Sequence, residues 1–462
     1  MIDTIEPMGQ LVWDCTLPGE TKADQVWPAH ANGIQVSKDR WLLVYATRGF
    51  RFMDDDRSIV YQLRESRPDG RVVKEGFLSR SFDGWDPAGD GKKYFKQHGH
   101  PVAFGVPKGA VIKGRPAPNA NVFVAKWRVV GIHDRGPVDD SELPEEDKQR
   151  WKGIEWVSHK INFRYGWGTS AGAGVEWVQF RLNDREDDID ILQPAMRLRQ
   201  KGHQTGPAFC SPSDGQQVKS MNQSFVQASP FNDDASEWAD VNHFDGGRIA
   251  PLKYAFNPGM GLYEWIETGP MAGTAAKGLF EASLVRLGDG WVIAGRPRFD
   301  GRRRPGAGWM RTDDLFGRIP PPVFTATPNA DTPITVFLAA DGVMRLFAND
   351  LTRPRPGRGG RDPLWCWDVD PDGFAITDPR VVFDTFDARL PIRPECDPGV
   401  DMCKLLPHAG GSFQYLVHRV RTRALTIPYL EAVVTPEEVQ ALGIYYAKVH
   451  YPEEHPGRWS FR

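Results

Sequence analysis

The sequence predicts an all-β protein built as a propeller of repeated antiparallel hairpins. Its apolar segments are short, of strand length, and each is bounded by Gly, Asp, Asn or Pro. Asp-Gly turns join neighbouring segments into hairpins. With 47 Gly and 38 Pro, the chain carries these turn residues about half again as often as average proteins do. Hairpins that recur along the whole chain fit four-stranded blades around an axis; a pair of β-sandwiches is the alternative.

The predicted strands follow one another in pairs. They occupy residues 40–46, 58–63, 120–127, 282–287, 290–295, 334–339, 342–347 and 412–417. Two pairs are joined by turns of the hairpin type, 287–290 (Leu-Gly-Asp-Gly) and 340–342 (Ala-Asp-Gly). We expect residues 1–462 to form one propeller domain.

The middle of the chain, about residues 131–227, has a different pattern. Two acidic runs flank an aromatic and Gly-rich stretch at 163–168. This composition predicts blade strands with long inserted loops, and loops of that length usually lie on the functional face.

One short helix is predicted near the C-terminus, over 435–443. Thr435 has the position of an N-cap, Pro436 that of the first helical residue, and Glu438 that of the capping-box partner.

Composition excludes several functional classes. Lys and Arg (57) nearly balance Asp and Glu (60), so the chain lacks the basic excess of a nucleic-acid binder. No apolar stretch is long enough to span a membrane. The first residues resemble no secretory signal, and five cysteines fit reduced thiols, which indicates the cytoplasm.

We expect no cofactor. His98 and His100 would face one side of a strand, but no third metal ligand is evident, so no metal site is predicted. The oligomeric state stays open.

The first candidate site is the loop between the first two predicted strands. It holds the arginines Arg48 and Arg51, followed by three consecutive carboxylates that begin with Asp54 and Asp55. Arginine offers a planar donor fork for a carboxylate or vicinal hydroxyls, and a partly desolvated carboxyl group can act as a general acid. An exposed, salt-bridged turn is the alternative.

The second candidate site is the hairpin at 281–296. Glu281 begins one strand and Arg296 ends its partner, so antiparallel pairing brings the two to the same edge. A further group of arginines, which ends at Arg361, precedes the predicted strand that begins at Leu364.

In this order along the chain, these segments resemble the sialidase (neuraminidase) superfamily. The 281–296 hairpin is similar to its Glu-strand-turn-strand-Arg segment, and Arg48 with Asp54 to its arginine and acid/base loop. Arg361 resembles its last arginine, followed at 365–373 by a decayed Asp-box, and 66–70 resembles another. The resemblance implies a six-bladed propeller, an arginine triad that holds the substrate carboxylate, an Asp acid/base, and a Tyr nucleophile activated by a Glu.

Two family residues are missing. His30 stands where the family has its first arginine, and the segment 397–405, where the nucleophilic Tyr belongs, contains Asp401 but no Tyr. Ordinary glycosidases use two carboxyl groups. Asp54 or Asp55 is then the candidate acid, with Glu281 or Asp401 as base or nucleophile.

The predicted function is that of a carbohydrate-active enzyme. We expect a glycoside hydrolase that acts on an acidic or highly hydroxylated sugar, with an oligosaccharide or glycoside as its partner. The candidate binding residues are His30, Arg48, Arg51, Arg296 and Arg361, together with Tyr165 and Trp167 as stacking platforms. A polysaccharide lyase acting next to a uronate, and a propeller that binds glycan or protein without turnover, are the alternatives.

Overall fold

The computed structural model describes most of the chain. The described residues are 2–12, 27–48, 56–87, 89, 91, 94–132, 170–202, 213–214, 221–224, 227–244, 247–274, 276–299, 302–328, 332–350, 352, 360–422 and 435–461. No helix within these residues is both long and apolar enough to cross a membrane.

The prediction of a six-bladed, all-β propeller is confirmed: the described strands form six antiparallel sheets of four or five strands, taken here as blades 1 to 6, and one small three-stranded sheet. After β1 (Thr4–Val12), blade 1 contains β2 (Trp27–Ser37), β3 (Arg40–Arg48), β4 (Asp56–Glu65) and β5 (Val72–Ser79). Blade 2 contains β6 (Phe82–Trp85), β7 (Tyr94–Val106), β10 (Val122–Ile132), β11 (Ser170–Leu182) and β12 (Ile189–Arg197). The small hairpin β8 (Ala110–Ile112) and β9 (Arg115–Pro116) extends from it.

The next two blades follow the same order. Blade 3 contains β13 (Met221–Ser224), β14 (Ser229–Pro230), β15 (Glu237–Phe244), β16 (Arg248–Asn257) and β17 (Leu262–Thr268). Blade 4 contains β18 (Lys277–Leu287), β19 (Gly290–Phe299), β20 (Arg302–Arg303), β21 (Ala307–Thr312) and β22 (Val323–Thr325).

The last two blades complete the ring. Blade 5 contains β23 (Thr335–Leu338), β24 (Met344–Asn349), β25 (Leu364–Val369) and β26 (Ile376–Phe383). Blade 6 contains β27 (Pro398–Leu405), β28 (Gly411–Thr422) and β29 (Gly443–His455), and β1 pairs with β29 as its fourth strand. Strand β30 (Ser460–Phe461) then crosses to pair with β8.

Six hydrophobic clusters explain why these sheets form a ring. Each cluster fills the space between two consecutive blades, including the space between blade 6 and blade 1. In the last of these, Val12, Tyr415 and Ile444 pack with Leu43 and Val60. Each sheet is apolar on both faces, and it would expose an apolar face to water without a neighbouring blade on each side, which the ring provides.

The strand directions define two faces of the propeller. The innermost strands are β2, β7, β13, β18, β23 and β27, and we call the face at which they begin the upper face. Because neighbouring strands are antiparallel, each second strand ends at this same face. The short predicted turns at 287–290 and 340–342 lie at the opposite, lower face.

The predicted C-terminal helix is confirmed, although it is shorter than expected. Helix α1 spans Pro436–Gln440, and Thr435 caps it with the reciprocal bonds of a capping box. The Glu438 amide donates to Thr435 Oγ1 over 3.2 Å, and the Thr435 amide donates to Glu438 Oε2 over 2.8 Å.

The two segments that resemble decayed Asp-boxes lie at equivalent places. Residues 66–70 connect the third and fourth strands of blade 1, and 370–374 connect those of blade 5. Asp370 accepts hydrogen bonds from the amides of Asp372 and Gly373, both over 3.1 Å. Phe374 then stacks on Trp309 of blade 4, with ring centroids 5.0 Å apart.

Candidate active site at the propeller axis

Four innermost strands share an unusual backbone feature near the upper face. His30, His100, Glu281 and Met402 have left-handed φ angles of 54°, 53°, 55° and 54°, which residues other than Gly rarely adopt. In each strand the pairing register shifts by one residue at this point, the signature of a β-bulge. Bulges re-aim side chains and are frequent next to active sites.

The bulges of blades 1 and 2 bring two histidines together. The ring centroids of His30 and His100 are 3.7 Å apart in an edge-on arrangement, and His30 is buried. His30 Nε2 also lies 2.5 Å from Nη1 of Arg419 in blade 6. Residues from three blades therefore meet beside the axis.

Asp401 holds an arginine cluster formed by Arg361, Arg419 and Arg421. Its Oδ2 accepts from Arg361 Nη1 over 2.6 Å and lies 3.2 Å from Arg421 Nε; its Oδ1 accepts from Arg419 Nε over 2.8 Å. Burial alone would raise the pKa of Asp401, but the three guanidinium charges hold it well below its usual range. Asp401 is thus a permanently ionised anchor, and Arg361 alone in the cluster keeps appreciable side-chain exposure, at 18%.

Glu281 is held in blade 4 by a buried ion pair. Its Oε2 accepts a hydrogen bond from Arg296 Nη1 over 2.6 Å, and both side chains are almost fully buried. The amide of the neighbouring Ala282 donates to His243 Nε2 of blade 3 over 3.1 Å. Burial lowers the pKa of His243 to about 3, so the ring is neutral and keeps this acceptor at physiological pH.

Lys404 lies on the same strand as Asp401 and close enough to Glu281 to interact with its charge. Burial lowers the pKa of this lysine to about 7, and the negative charge of Glu281 opposes the shift. The amine is therefore divided between its charged and neutral forms near neutral pH.

The Glu281 and Asp401 groups together contain more guanidinium groups than carboxylates. Four guanidinium groups, those of Arg296, Arg361, Arg419 and Arg421, accompany the two carboxylates Glu281 and Asp401. An environment of this kind favours an anionic ligand.

His98 and His100 both contact blade 1, but at different places: His98 lies beside Ser79 and His100 beside His30. His98 points between blades 1 and 2, where its ring nitrogens lie 3.0 Å from Ser79 Oγ and 3.3 Å from Ser81 Oγ. Within the described ranges, no group of three or more His, Cys, Asp or Glu could hold a metal ion.

The structure describes the side chains of five predicted site residues, which fall into two groups. Arg361 and Asp401 are bonded to each other and are linked through Arg419 to His30, and Glu281 is bonded to Arg296 in blade 4. Asp54, Asp55, Arg51, Tyr165 and Trp167 lie outside the described residues. Arg48 ends β3 at the upper face, paired with Trp27 and Asp56, and only its backbone is described.

Four residues of the site were missed in the sequence. Arg419 and Arg421 are two apart on β28, so an arginine pair with strand alternation inside an apolar run was an available signal. Arg419 pairs across the sheet with Asp401. His243 and Lys404 carry no signal, because their importance comes from contacts between blades.

Comparison with known proteins supports the fold. No family model and no curated protein matches the sequence. The NanB sialidase of Streptococcus pneumoniae is 9% identical over 95% of this chain and 70% of that one, with a TM-score of 0.52. Its K499G mutant is 10% identical over 96% and 71%, with a TM-score of 0.51. A protein of unknown function from Dyadobacter fermentans is 10% identical over 97% and 100%, with a TM-score of 0.50. At such identities, the likeness shows a shared fold.

Proposed function

We propose that this protein is a glycoside hydrolase that acts on a carboxylate-bearing sugar. The proposal is supported by two groups of charged side chains on bulged strands: Glu281 with Arg296 in blade 4, and the three arginines around Asp401 in blades 5 and 6. Guanidinium forks match a carboxylate in geometry and charge. A carboxylate such as Glu281 beside them has the chemistry for glycoside cleavage.

The proposed roles follow from accessibility. Arg361 has the most exposed side chain of the cluster and would grip the substrate carboxylate. Arg296 orients Glu281, which would serve as base or nucleophile at the anomeric carbon. The acid that protonates the leaving oxygen would come from Asp54 or Asp55, whose loop joins β3 and β4 at the upper face. Arg48 and Arg51 from the same loop, and Tyr165 and Trp167, stay proposed binding residues.

The geometry favours a different role for Asp401 than base or nucleophile. A carboxylate that three guanidinium groups already neutralise is a weak base, whereas Glu281 has one arginine partner among the described residues. We assign Asp401 the task of fixing the arginine cluster. His30, bonded to Arg419, would hold that cluster from the blade 1 side.

A polysaccharide lyase is the second candidate. The His30–His100 pair and Lys404, whose pKa is lowered by burial to about 7, offer bases for proton abstraction next to a uronate. An arginine would neutralise the uronate carboxylate during that step.

A matched pair of substrates tests the proposal. We expect p-nitrophenyl glucuronide or a p-nitrophenyl sialoside to be cleaved, and p-nitrophenyl glucoside to be cleaved far more slowly, since it lacks the carboxylate. Oligosaccharides that contain uronates, followed by ultraviolet absorbance, test the lyase, because elimination creates a conjugated double bond and hydrolysis does not. Equal rates on acidic and neutral glycosides would refute the role of the arginines. Binding of these sugars without any product would indicate a non-catalytic propeller.

A further inference from the structure

A second cavity opens at the lower face, at the opposite end of the axis from the candidate active site. Its volume is about 430 Å³, which is within the range of small-molecule sites. Blades 3 to 6 line it with the ends of their innermost strands, for example at Ser229, Val285, Leu338 and Leu405. Val285 is four residues beyond Glu281 on β18, or about 13 Å at the rise of a strand. The two sites therefore lie toward opposite ends of the axis, and Lys404, which is close to Glu281 and lines a small cavity shared with Arg458, lies between them.

Charge in this lower cavity is of one sign. Arg286 and Arg458 are the charged residues in its described lining, and no Asp or Glu lies there. A small adjoining cavity shares Arg458, adds Lys404, and also contains no carboxylate in its described lining.

Arg458 is the residue that makes this cavity a site. Arg286 already pairs with Asp233 over 3.2 Å, whereas no described carboxylate lies within ion-pair distance of Arg458. Its guanidinium lies over the rings of Trp238 and Trp459, 5.0 and 5.4 Å from their centroids. Rings on the faces of a guanidinium leave the N–H donors at its edge for a ligand.

The chain around Arg458 is fixed on both sides. Its amide donates to the carbonyl of His408 over 2.8 Å, and Ser460 Oγ donates to the carbonyl of Val111 over 2.8 Å within the β30–β8 pairing. Arg458 is exposed at the cavity, and although the surrounding protein lowers its pKa to about 10, its guanidinium stays charged at neutral pH.

The cavity wall is also preformed. Gln414 is buried in it and accepts hydrogen bonds from the Ala340 amide over 3.1 Å and from the Tyr451 hydroxyl over 2.8 Å. The same side chain donates to the carbonyl of Leu406 over 2.6 Å. A rigid wall reduces the entropy lost when a ligand binds.

We propose that the lower cavity binds a small organic oxyanion, a carboxylate or a phosphate, through the Arg458 guanidinium. The proposal is independent of the function proposed for the upper face. Carboxylate and phosphate share the bidentate geometry that an arginine fork recognises.

Isothermal titration of the full chain tests the proposal, with glucuronate, inorganic phosphate and the neutral sugar glucose as probes. We expect at least one of the two anions to bind and glucose not to bind. Arg458→Gln should weaken that binding about tenfold or more, the usual effect of losing a charged hydrogen bond. The control Arg185→Gln, at an exposed position on the β11–β12 turn, should leave it unchanged.

Further variants separate the two ends of the axis. Arg361→Gln should leave the Arg458-dependent binding in place even if it removes an anion site at the upper face. If Arg458→Gln fails to fold, two other variants test the same site. Arg458→Lys keeps the charge but loses the planar guanidinium fork, and Arg286→Gln changes the cavity rim. The proposal would be overturned if neither anion bound, or if glucose bound as strongly as the anions. It would also be overturned if all lower-cavity variants bound the anion as strongly as the wild type. A failure of glycoside cleavage would leave it untouched.

Discussion

The direction of the Glu281 side chain depends on contacts from three other residues. Its left-handed backbone is secured by the bond from the Ala282 amide to His243, and its carboxylate is held by Arg296. Strained residues persist only where their surroundings determine them, and they cluster at functional sites. Glu281 is thus placed by its neighbours to face the axis.

Replacement of Glu281 by Gln should lower kcat on the acidic glycoside by a factor on the order of 10² or more. The amide keeps the size and the hydrogen bond to Arg296 but cannot act as base or nucleophile. Kinetics on the purified variant check this, with circular dichroism to show an intact fold and Glu453→Gln, exposed on β29, as the control. Wild-type kcat in Glu281→Gln would exclude the assigned role.

Asp401 should matter for stability more than any exposed carboxylate. Asp401→Asn removes the anion between three arginines, and breaking a buried ion pair on one side costs about 3–5 kcal/mol. Urea denaturation gives the free energy of unfolding. The control Glu65→Gln, which breaks an exposed pair with Arg71, should change it by about 1 kcal/mol or less. Similar losses in both variants would show that Asp401 is not the anchor described above.

Lys404 should make stability depend on pH above neutrality. Its pKa is about 7 in the folded protein and about 10.4 when unfolded, so between these values the unfolded chain binds more protons. The free energy of unfolding of the wild type should therefore rise with pH relative to Lys404→Met, by up to about 1.4 kcal/mol per pH unit. Denaturation at three pH values between 7.5 and 9.5 measures the difference. The same pH dependence of the free energy of unfolding in the wild type and in Lys404→Met would contradict the lowered pKa of Lys404. The control Lys201→Met, at an exposed position, should show the same pH dependence as the wild type.

Helix α1 illustrates an element that local sequence determines. The capping box of Thr435 and Glu438 is visible in the sequence and present in the structure. Hairpin turns such as 287–290 are local in the same sense. The bulges at His30, His100, Glu281 and Met402 are not, because no local residue pattern requires a left-handed His, Glu or Met.

Replacement of the N-cap residue tests how much the cap stabilises helix α1. Thr435→Ala should lower the free energy of unfolding by about 1 kcal/mol, the usual cost of losing an N-cap. Thr377→Ala, at an exposed strand position, should change it by no more than about 0.5 kcal/mol. Equal changes in the free energy of unfolding for the two variants would show that the N-cap does not stabilise the protein.

At the scale of the whole molecule, the ring of blades could be predicted and its centre only in part. Recurrent hairpins indicate a propeller, and the positions of Glu281 and Arg296 in one hairpin fix their pairing. The contacts of Asp401 with Arg361 join blades 5 and 6, and those of His243 with Ala282 join blades 3 and 4. The ring itself closes through β1, which lies far from its partner β29 in the sequence.

A crystal structure of Glu281→Gln with an acidic sugar such as glucuronate tests the central claim most directly. We expect a sugar at the upper face whose carboxylate lies within hydrogen-bonding distance of Arg361 and whose ring lies beside residue 281. A second molecule in the lower cavity is compatible with this result. A sugar bound only at the outer rim, or only in the lower cavity, would contradict the claim that the axial arginines and Glu281 form the active site.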